Sequence, residues 1–250
     1  MGRELPIALQ LYSVHKEMAA DYRAVLERTA RIGFEGVEFA GFFGVPAEEM
    51  KRELDARGLK AVGSHTGYEE LKNRLPEVMR YNRILGNYNI VCPFCGLGSK
   101  EEIDAAVEEL HGIERKLIAE GFVFHYHNHA HEFRRFEGVN ALERIFGETG
   151  IHPQPDIYWV YRGGEDPAGF IRRYSGRCIL IHMKDGAGER EVTAGEGTLD
   201  FPEIIRAAQE NGAQWLILED EVSIPTAWDS VEKGYRYLKQ CARKAAREVL

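Results

Sequence analysis

The segment FVFHYHNHAHEF, residues 122–133, begins with apolar residues and then alternates aromatic residues with histidine. It follows a helix-like segment that ends at Gly121, and the pattern predicts a β-strand that delivers polar side chains at its far end. Four of the nine histidines lie within seven residues here, and the carboxylate of Glu132 follows them. Imidazole and carboxylate groups bind divalent metals, and neutral histidine suits proton transfer near pH 7. A histidine-rich surface segment has the same composition, so the rest of the chain must decide between the two.

The same order, a short apolar run and then a longer segment with helical spacing, recurs along the chain. Strands are predicted at Ile7–Leu11, Gly36–Phe39, Lys60–Gly63, Asn89–Val91, Phe122–Tyr126, Gln154–Ile157, Cys178–His182 and Trp215–Leu218. Helices are predicted at Tyr22–Ile32, Ala47–Arg57, Glu69–Leu85, Lys100–Glu120, Ala141–Gly147, Pro167–Tyr174, Phe201–Asn211 and Trp228–Arg247. This alternation indicates βαβ units and a parallel sheet, and eight units predict an α/β fold closed into a (β/α)8 TIM barrel.

Residues that favour helix ends support this division. Glycines stand between several helices and the next strand, as expected where a C-cap needs positive φ, at Gly33, Gly58, Gly121 and Gly212. Helix N-caps are predicted at Asp21, Ser99 and Asp200, and first-turn prolines at Pro167 and Pro202. No low-complexity linker interrupts the pattern, so we predict a single domain over residues 1–250.

Composition excludes several function classes. Of the 250 residues, 44% are hydrophobic and 29% charged, and 32 Lys+Arg against 40 Asp+Glu leave a net charge of −8. An acidic chain without a basic run is not expected to bind nucleic acid. There is no run long enough for a membrane span and no secretory leader, so we expect a cytoplasmic protein with a small-molecule partner. The sequence leaves the oligomeric state open, a homo-oligomer included.

Two of the four cysteines, Cys92 and Cys95, form a CxxC pair. A redox pair or half of a zinc site would have this spacing. The surrounding NIVCPFCGLG lacks the rest of a thioredoxin-like pattern, and no second CxxC or close pair of histidines supplies tetrahedral partners. We therefore predict buried thiols beside a turn at Pro93.

Barrel enzymes build their active sites from the loops at the carboxyl ends of the strands, so polar residues with useful chemistry should follow the predicted strands. They do, at Gln10, Tyr12, Ser13, Glu38, Ser64, His65, His127, His129, Glu132, Asp156, His182, Lys184, Asp185, Glu219, Asp220 and Glu221. Solvated strand ends would also be polar, but would not so regularly be Glu, His and Asp.

Four of these residues, from different strands, form a candidate metal site: Glu132, Asp156, His182 and Glu219. An oxygen-rich set with one nitrogen suits Mn²⁺, Mg²⁺ or Co²⁺, with Zn²⁺ as a further alternative. Such an ion can bind both oxygens of a hydroxy-ketone and withdraw charge as a neighbouring C–H proton leaves. Taken singly, Asp156 could instead cap the following turn, and His182 could be a hydrogen-bonded core histidine.

The chain resembles the sugar phosphate isomerase/epimerase family, the xylose isomerase-like barrels, over nearly its whole length. The matching motifs are QLYSV (10–14), GFEGVEF (33–39), GSHTG (63–67), YHNHAHEF (126–133), PDIYWV (155–160), IHMKDG (181–186), GEGTLDFPEI (195–204) and LILED (216–220). The resemblance implies a TIM-type barrel with one divalent metal, Mn²⁺ being the expected ion, held by Glu, Asp, His and Glu. Asp156, His182 and Glu219 match the last three ligands.

The first ligand departs from the family pattern. Family epimerases commonly carry a glutamate inside strand five, where this chain has HYHNH. We carry the role to Glu132, with His129 or His127 as the alternative. The departure also affects the two-glutamate proton shuttle of the family, because one of its members is missing from its usual place.

The resemblance implies proton removal next to a carbonyl of a sugar, keto-sugar or cyclitol, with an enediolate forming against the metal. Isomerisation, epimerisation or elimination can follow. Glu219, or His129 in its place, is the expected base. Lys184 and His65 are candidate donors to sugar oxygens or a leaving group, although a salt bridge with Asp185 or Glu219 would also explain Lys184. Further candidate substrate contacts are Glu38, Trp159, and Phe42 or Phe43, the aromatic ones with ordinary loop packing as the alternative.

Two rival functions remain open at this stage. Apurinic-site endonucleases resemble the same barrels, but they need a multi-zinc cluster and a surface that attracts DNA, which the acidic balance disfavours. A barrel that binds sugar or metal without catalysis is the other. A lyase or dehydratase acting on a keto-sugar or inosose by the same enolisation is the alternative within the enzymatic reading.

Overall fold

The computed structural model describes residues 4–223 and 225–248, and within them eight parallel strands form one sheet. In chain order the strands are β1 (Ile7–Gln10), β2 (Gly36–Ala40), β3 (Lys60–His65), β4 (Asn89–Cys92), β5 (Val123–His127), β6 (His152–Gln154), β7 (Leu180–Met183) and β8 (Trp215–Leu218). Neighbours in the sheet run β6-β5-β4-β3-β2-β1-β8-β7. A parallel bridge between Asp156 and His182 joins the two outer strands, so the predicted TIM barrel is confirmed.

Helices cover the outside of the barrel, as the alternating pattern predicts. They are α1 (His15–Ile32), α2 (Ala47–Ala56), α3 (Tyr68–Asn73), α4 (Leu75–Leu85), α5 (Lys100–Ala119), α6 (Ala141–Glu148), α7 (Ile157–Arg162), α8 (Pro167–Arg173), α9 (Phe201–Glu210) and α10 (Ala227–Glu248). Short 3-10 helices span Leu11–Val14 and His131–Phe133, and small hairpins pair Arg135–Phe136 with Val139–Asn140 and Asp185–Ala187 with Arg190–Val192. In the described residues no helix is long and apolar enough to cross a membrane.

The predicted helix ends are confirmed in detail. The side chains of Asp21, Ser99 and Asp200 accept hydrogen bonds from the backbone N–H three residues further on. Pro167 and Pro202 lie in the first turns of α8 and α9. The predicted C-cap glycines all have positive φ, at Gly33, Gly58, Gly121 and Gly212.

Three predicted elements need correction. The strand predicted at Gln154–Ile157 ends at Gln154, because Asp156 caps helix α7 by accepting the N–H groups of Tyr158 and Trp159. The helix predicted at Glu69–Leu85 is two helices, since the backbone at Arg74 leaves the helical region just before Pro76. Helix α1 begins at His15, earlier than predicted, and is interrupted at Asp21, where φ is −155°.

Strand β5 shows how alternation builds the two sides of the barrel wall. Phe124 and Tyr126 pack in the apolar layer between the strands and the helices. His125 and His127 point to the opposite side of the strand and meet residues of other strands. The four cysteines are buried and free, which confirms the prediction of buried thiols at Cys92 and Cys95.

Candidate metal centre

Four buried side chains converge at the carboxyl end of the barrel. They are His127 at the end of β5, Asp156 just after β6, His182 in β7 and Glu219 just after β8, and their donor atoms lie within 4.8 Å of one another. Three of the four predicted ligands are therefore brought together by the fold. The fourth position belongs to His127, which the sequence offered only as an alternative.

Glu132 lies elsewhere, which corrects its predicted place among the ligands. Its carboxylate accepts hydrogen bonds from Tyr126 Oη (3.1 Å) and from the His129 backbone N–H (2.8 Å). Tyr126 and His127 face opposite sides of β5, so a carboxylate that contacts Tyr126 is on the side away from the barrel interior. The 3-10 helix His131–Phe133 turns the chain there, and Glu132 groups instead with His129 and His131.

Two buried atoms of the centre have no hydrogen-bond partner among the described residues: Asp156 Oδ2 and His127 Nδ1. Asp156 Oδ1 is already occupied by the N–H groups of Tyr158 and Trp159. Burial raises the pKa of Asp156 to about 6 and lowers that of His127 well below its ordinary value. A fully buried polar atom without a hydrogen-bond partner lowers the free energy of unfolding. A cation held by these residues would satisfy them, so the donor set fits a divalent metal.

His182 connects this group to a deeper carboxylate. Both ring nitrogens lie 2.6 Å from a carboxylate oxygen, Nδ1 from Glu219 Oε2 and Nε2 from Glu38 Oε2. Burial lowers the pKa of His182, but the two carboxylates outweigh it and raise the pKa to about 10. A cation bound here would replace the proton on Nδ1, beside Glu219, and leave Nε2 donating to Glu38, which is the usual arrangement of a metal-ligating histidine.

Glu38 therefore does not have the position expected of a substrate contact. It is fully buried, and the side-chain amides of Gln10 (2.8 Å) and Gln154 (2.6 Å) donate to its oxygens. Burial alone would raise its pKa, but His65 and His182 hold the pKa well below the ordinary value. Space for the carboxylate exists because residue 63 is glycine: a Cβ there would lie 2.2 Å from Glu38 Oε1. The corrected position of Glu38 is beneath the site, against His182.

Lys184 lies next to Glu219. The alternative suggested by the sequence, a salt bridge with Asp185 or Glu219, is therefore present with Glu219. Lys184 Nζ lies 2.6 Å from Glu221 Oε1 and 3.5 Å from Glu219 Oε1. Burial opposes the charge of Lys184, yet the surrounding carboxylates raise its pKa well above the ordinary value. Burial likewise raises the pKa of Glu219, but Lys184 and His182 lower it well below the ordinary value. Glu219 is therefore ionised.

A cavity of about 480 Å³ opens over this group. Its lining residues are Tyr12, Ala40, Gly41, His65, Gly67, Glu70, Pro93, His127, His129, Glu219 and Glu221. Of the predicted catalytic and binding residues, His65, His129 and Glu219 reach the cavity wall. Trp159 lies behind it, with Lys184 Nζ 5.6 Å from its ring centre. The sequence reasoning missed Glu70, which follows the GSHTG motif but belongs to a helix, where an acidic residue usually indicates only a solvated first turn.

Residues 26–241 match the family model of the xylose isomerase-like TIM barrels. The chain belongs to this family. The membership predicted from the motifs is thereby confirmed, and solved structures with this fold include sugar phosphate isomerase/epimerases.

This xylose isomerase-like barrel is similar to several curated proteins and solved structures. An inosose dehydratase of Clostridium beijerinckii is 20% identical over 265 residues, covering 88% of this chain and 89% of the relative. The rhizopine catabolism protein MocC of Rhizobium meliloti is 27% identical, covering 78% and 73%. A sugar phosphate isomerase/epimerase structure from Parabacteroides distasonis superimposes with a TM-score of 0.81 at 24% identity, covering 98% and 96%. An L-ribulose 3-epimerase structure reaches 0.77 at 15% identity, again covering 98% and 96%. At these identities the structural matches show the fold.

Proposed function

We propose that this barrel is a divalent-metal-dependent enzyme that removes a proton next to the carbonyl of a sugar, keto-sugar or cyclitol. The observation that carries the proposal is the convergence of His127, Asp156, His182 and Glu219 at the mouth of the barrel, beneath a cavity large enough for a single sugar ring. His182 and Glu219 in addition have charged partners, Glu38 and Lys184, that hold the two side chains in place.

Two imidazoles and two carboxylates would hold the ion. This set suits Mn²⁺, Co²⁺ or Zn²⁺ better than Mg²⁺, which prefers oxygen ligands and bound water. When bound, a divalent ion there would polarise a carbonyl and stabilise the negative charge that develops as the neighbouring proton leaves.

Glu219 is the proposed base. Its side chain reaches the cavity, and it is kept ionised by Lys184 and His182, so it can accept a proton from the substrate. His129 is the second candidate base at the cavity wall, since burial lowers its pKa to about 4 and leaves the imidazole neutral at pH 7. Lys184, whose Nζ lies 3.5 Å from Glu219 Oε1, keeps Glu219 charged.

His65 is the proposed donor to a substrate oxygen or leaving group. Its Nε2 is held by Gln154 Oε1 at 2.8 Å and lies 3.2 Å from Glu38 Oε2, while the side chain also lines the cavity. The ring stacks on that of His182 with centroids 5.2 Å apart. These contacts fix the imidazole in one orientation, as proton transfer requires.

The substrate class follows from the charge of the cavity wall. Among the described residues that line it there are three glutamates, Glu70, Glu219 and Glu221, and neither lysine nor arginine. Phosphate groups are recognised by arginine, lysine or helix N-termini. One helix N-terminus lies in this wall, at Gly67 before α3, but its first turn carries Glu69 and Glu70, so the wall repels a phosphate. We therefore propose an unphosphorylated polyol substrate, such as a free keto-sugar or a ring-shaped cyclitol ketone.

Isomerisation or epimerisation is the first candidate outcome, and dehydration is the second. Return of the proton to carbon would give an isomer or epimer. Loss of a hydroxyl group from the neighbouring carbon would give a dehydrated product. The second outcome is favoured by the curated relatives, since three of them are inosose dehydratases.

Incubation with unphosphorylated keto-sugars and inososes in heavy water, with Mn²⁺ supplied, separates these outcomes. Deuterium incorporation at carbon without loss of water would indicate an isomerase or epimerase. Loss of water would indicate a dehydratase. The phosphate ester of each reactive keto-sugar serves as the control and should react at least about 100-fold more slowly. If metal binds but neither exchange nor water loss occurs across the panel, the protein is a binding barrel and the proposal fails.

A further inference from the structure

We propose that the loop after β5 is a second metal site, separate from the candidate metal centre, in which His129, His131 and Glu132 bind a zinc ion. The proposal does not depend on the proposed function, because it concerns three residues that are not among the four of the centre.

The geometry of the loop brings the three side chains to one point. The donor atoms of His129, His131 and Glu132 lie within 4.8 Å of one another, and His131 Nδ1 is 3.2 Å from Glu132 Oε2. The spacing His-x-His-Glu achieves this because the 3-10 helix His131–Phe133 reverses the chain immediately after His129. A single short loop therefore presents all three ligands.

Glu132 is the reason to expect a cation there. Its side chain is almost completely buried, at 1% exposure. Its hydrogen-bond donors, Tyr126 Oη and the His129 N–H, are neutral, and in the described residues neither lysine nor arginine forms an ion pair with it. A buried carboxylate without a positive partner is strongly destabilised, so it must take up a proton or a cation.

His129 provides an independent indication. Its Nδ1 is buried and has no hydrogen-bond partner among the described residues, although the neighbouring backbone N–H is used by Glu132. A buried imidazole nitrogen without a hydrogen-bond partner, next to a carboxylate without a cationic partner, is available to bind a metal ion. The rings around His129 are His127 at 5.1 Å, Trp159 at 5.7 Å, His131 at 6.0 Å and Phe94 at 6.1 Å between centroids, and none of them makes a hydrogen bond to Nδ1.

The donor set indicates which metal. Two imidazoles and one carboxylate form the usual three-ligand set of zinc sites that keep a fourth position open to water. His131 is partly exposed, with 39% of its side chain accessible, so an ion can enter from solvent. Since His129 also lines the main cavity, such an ion would lie in the cavity wall, and a ligand role for His129 leaves proton removal to Glu219.

The two sites share no ligand, although they are neighbours in which the rings of His127 and His129 lie 5.1 Å apart. His127 faces the barrel interior with His182, whereas Glu132 contacts Tyr126, whose ring packs in the outer apolar layer. Cys95 Sγ, 3.4 Å from Tyr126 Oη, belongs to this outer side as well. Loss of one site should therefore leave the ligands of the other in place.

Equilibrium dialysis of the metal-stripped protein against Zn²⁺ alone, followed by elemental analysis, tests the proposal. The unaltered protein should hold about two zinc ions per chain, His131→Ala about one, and Asp156→Asn also about one. Glu132→Gln, which keeps a hydrogen-bond acceptor for Tyr126, should also hold about one. Absorption spectra with Co²⁺ in place of zinc should show two sets of bands in the unaltered protein and one in each variant.

His111→Ala is the matched control. His111 also contacts a buried glutamate, with Nδ1 2.8 Å from Glu114 Oε2, and its side chain is 42% exposed, close to that of His131. It has no third ligand in any group of the described residues, so the variant should keep about two zinc ions.

Retention of both ions by His131→Ala, or a single ion in the unaltered protein that only Asp156→Asn removes, would overturn the second site. Loss of both ions in His131→Ala, with thermal unfolding unchanged, would show that the two sites are one. If instead Asp156→Asn has no effect on occupancy while His131→Ala removes an ion, the second site stands and the assignment of the main centre fails.

Discussion

Neighbouring inward-facing positions of the same strands differ sharply in character. Ala8, Leu180 and Ile217 pack together in an apolar layer inside the barrel. Two residues further along the same strands, on the same face, stand Gln10, His182 and Glu219, all at most 7% exposed. The step from an apolar to a polar layer therefore takes one repeat of the strand. The apolar layer supplies stability through burial, and the polar layer is tolerated because Gln10, His182 and Glu219 each have a charged partner.

The largest expected effect comes from removing a charge of the polar layer without disturbing the fold. Asp156→Asn keeps an oxygen that can accept from Tyr158 and Trp159 N–H, but it loses the anionic Oδ2. We expect the ion of this centre to be lost, so that metal content falls by about one ion per chain, and the reaction rate to fall by about 10³-fold or more, with unfolding little changed. Elemental analysis and rate measurements check this; full metal occupancy would show that Asp156 is not a ligand. Glu219→Ala should lose metal and activity in the same way.

Truncation of a side chain in the apolar layer should have the opposite effect: it should lower stability and leave metal affinity nearly unchanged. Ile217→Ala removes a fully buried side chain between β1 and β7 and should cost about 3 kcal/mol of unfolding free energy. Metal affinity of the folded protein should change by less than about twofold. Urea unfolding and chelator competition measure the two quantities. A large loss of metal affinity would mean that the layers are coupled and the comparison does not hold.

A smaller effect is expected where a charge supports a ligand. Glu38→Gln leaves His182 Nε2 without its carboxylate partner, so metal affinity should fall about 10- to 100-fold. Glu114→Gln is the matched control, since Glu114 is also a buried glutamate paired with histidine, but on helix α5. Competition with a chelator gives both affinities. Equal losses in the two variants would indicate a general effect of buried charge.

The smallest effect is expected outside both layers. Cys92 is buried between strand and helix, and its hydrogen bond with Cys95, together with burial, raises the pKa of its thiol well above the ordinary value. A protonated thiol in an apolar setting is unreactive, so Cys92→Ser should leave the rate within about twofold. Steady-state kinetics under reducing and oxidising conditions provide the measurement. A large or redox-dependent loss would revive a functional role for the CxxC pair.

Features of the structure that depend on interactions between nearby residues in the chain could be predicted from the sequence. The cap residues Asp21, Ser99 and Asp200 act within three residues of themselves, and all three were predicted correctly. Asp156 also acts locally, but its capping of α7 was given only as an alternative to ligation, and the structure shows that its two oxygens allow both. When one side chain makes two kinds of contact, the sequence pattern predicts which residue is involved but not which of its atoms makes each contact.

Periodicity, helix punctuation and motif order, all properties of residues near each other in the chain, were enough to predict the barrel, its family and three of the four side chains at its mouth. Only the tertiary structure decided that His127 stands with them and that Glu132 belongs to a different cluster. It also placed Glu38 beneath His182. The reason is that the direction of a side chain past the end of a strand depends on how the loop turns, and that turn is set by contacts with Tyr126 and other parts of the fold.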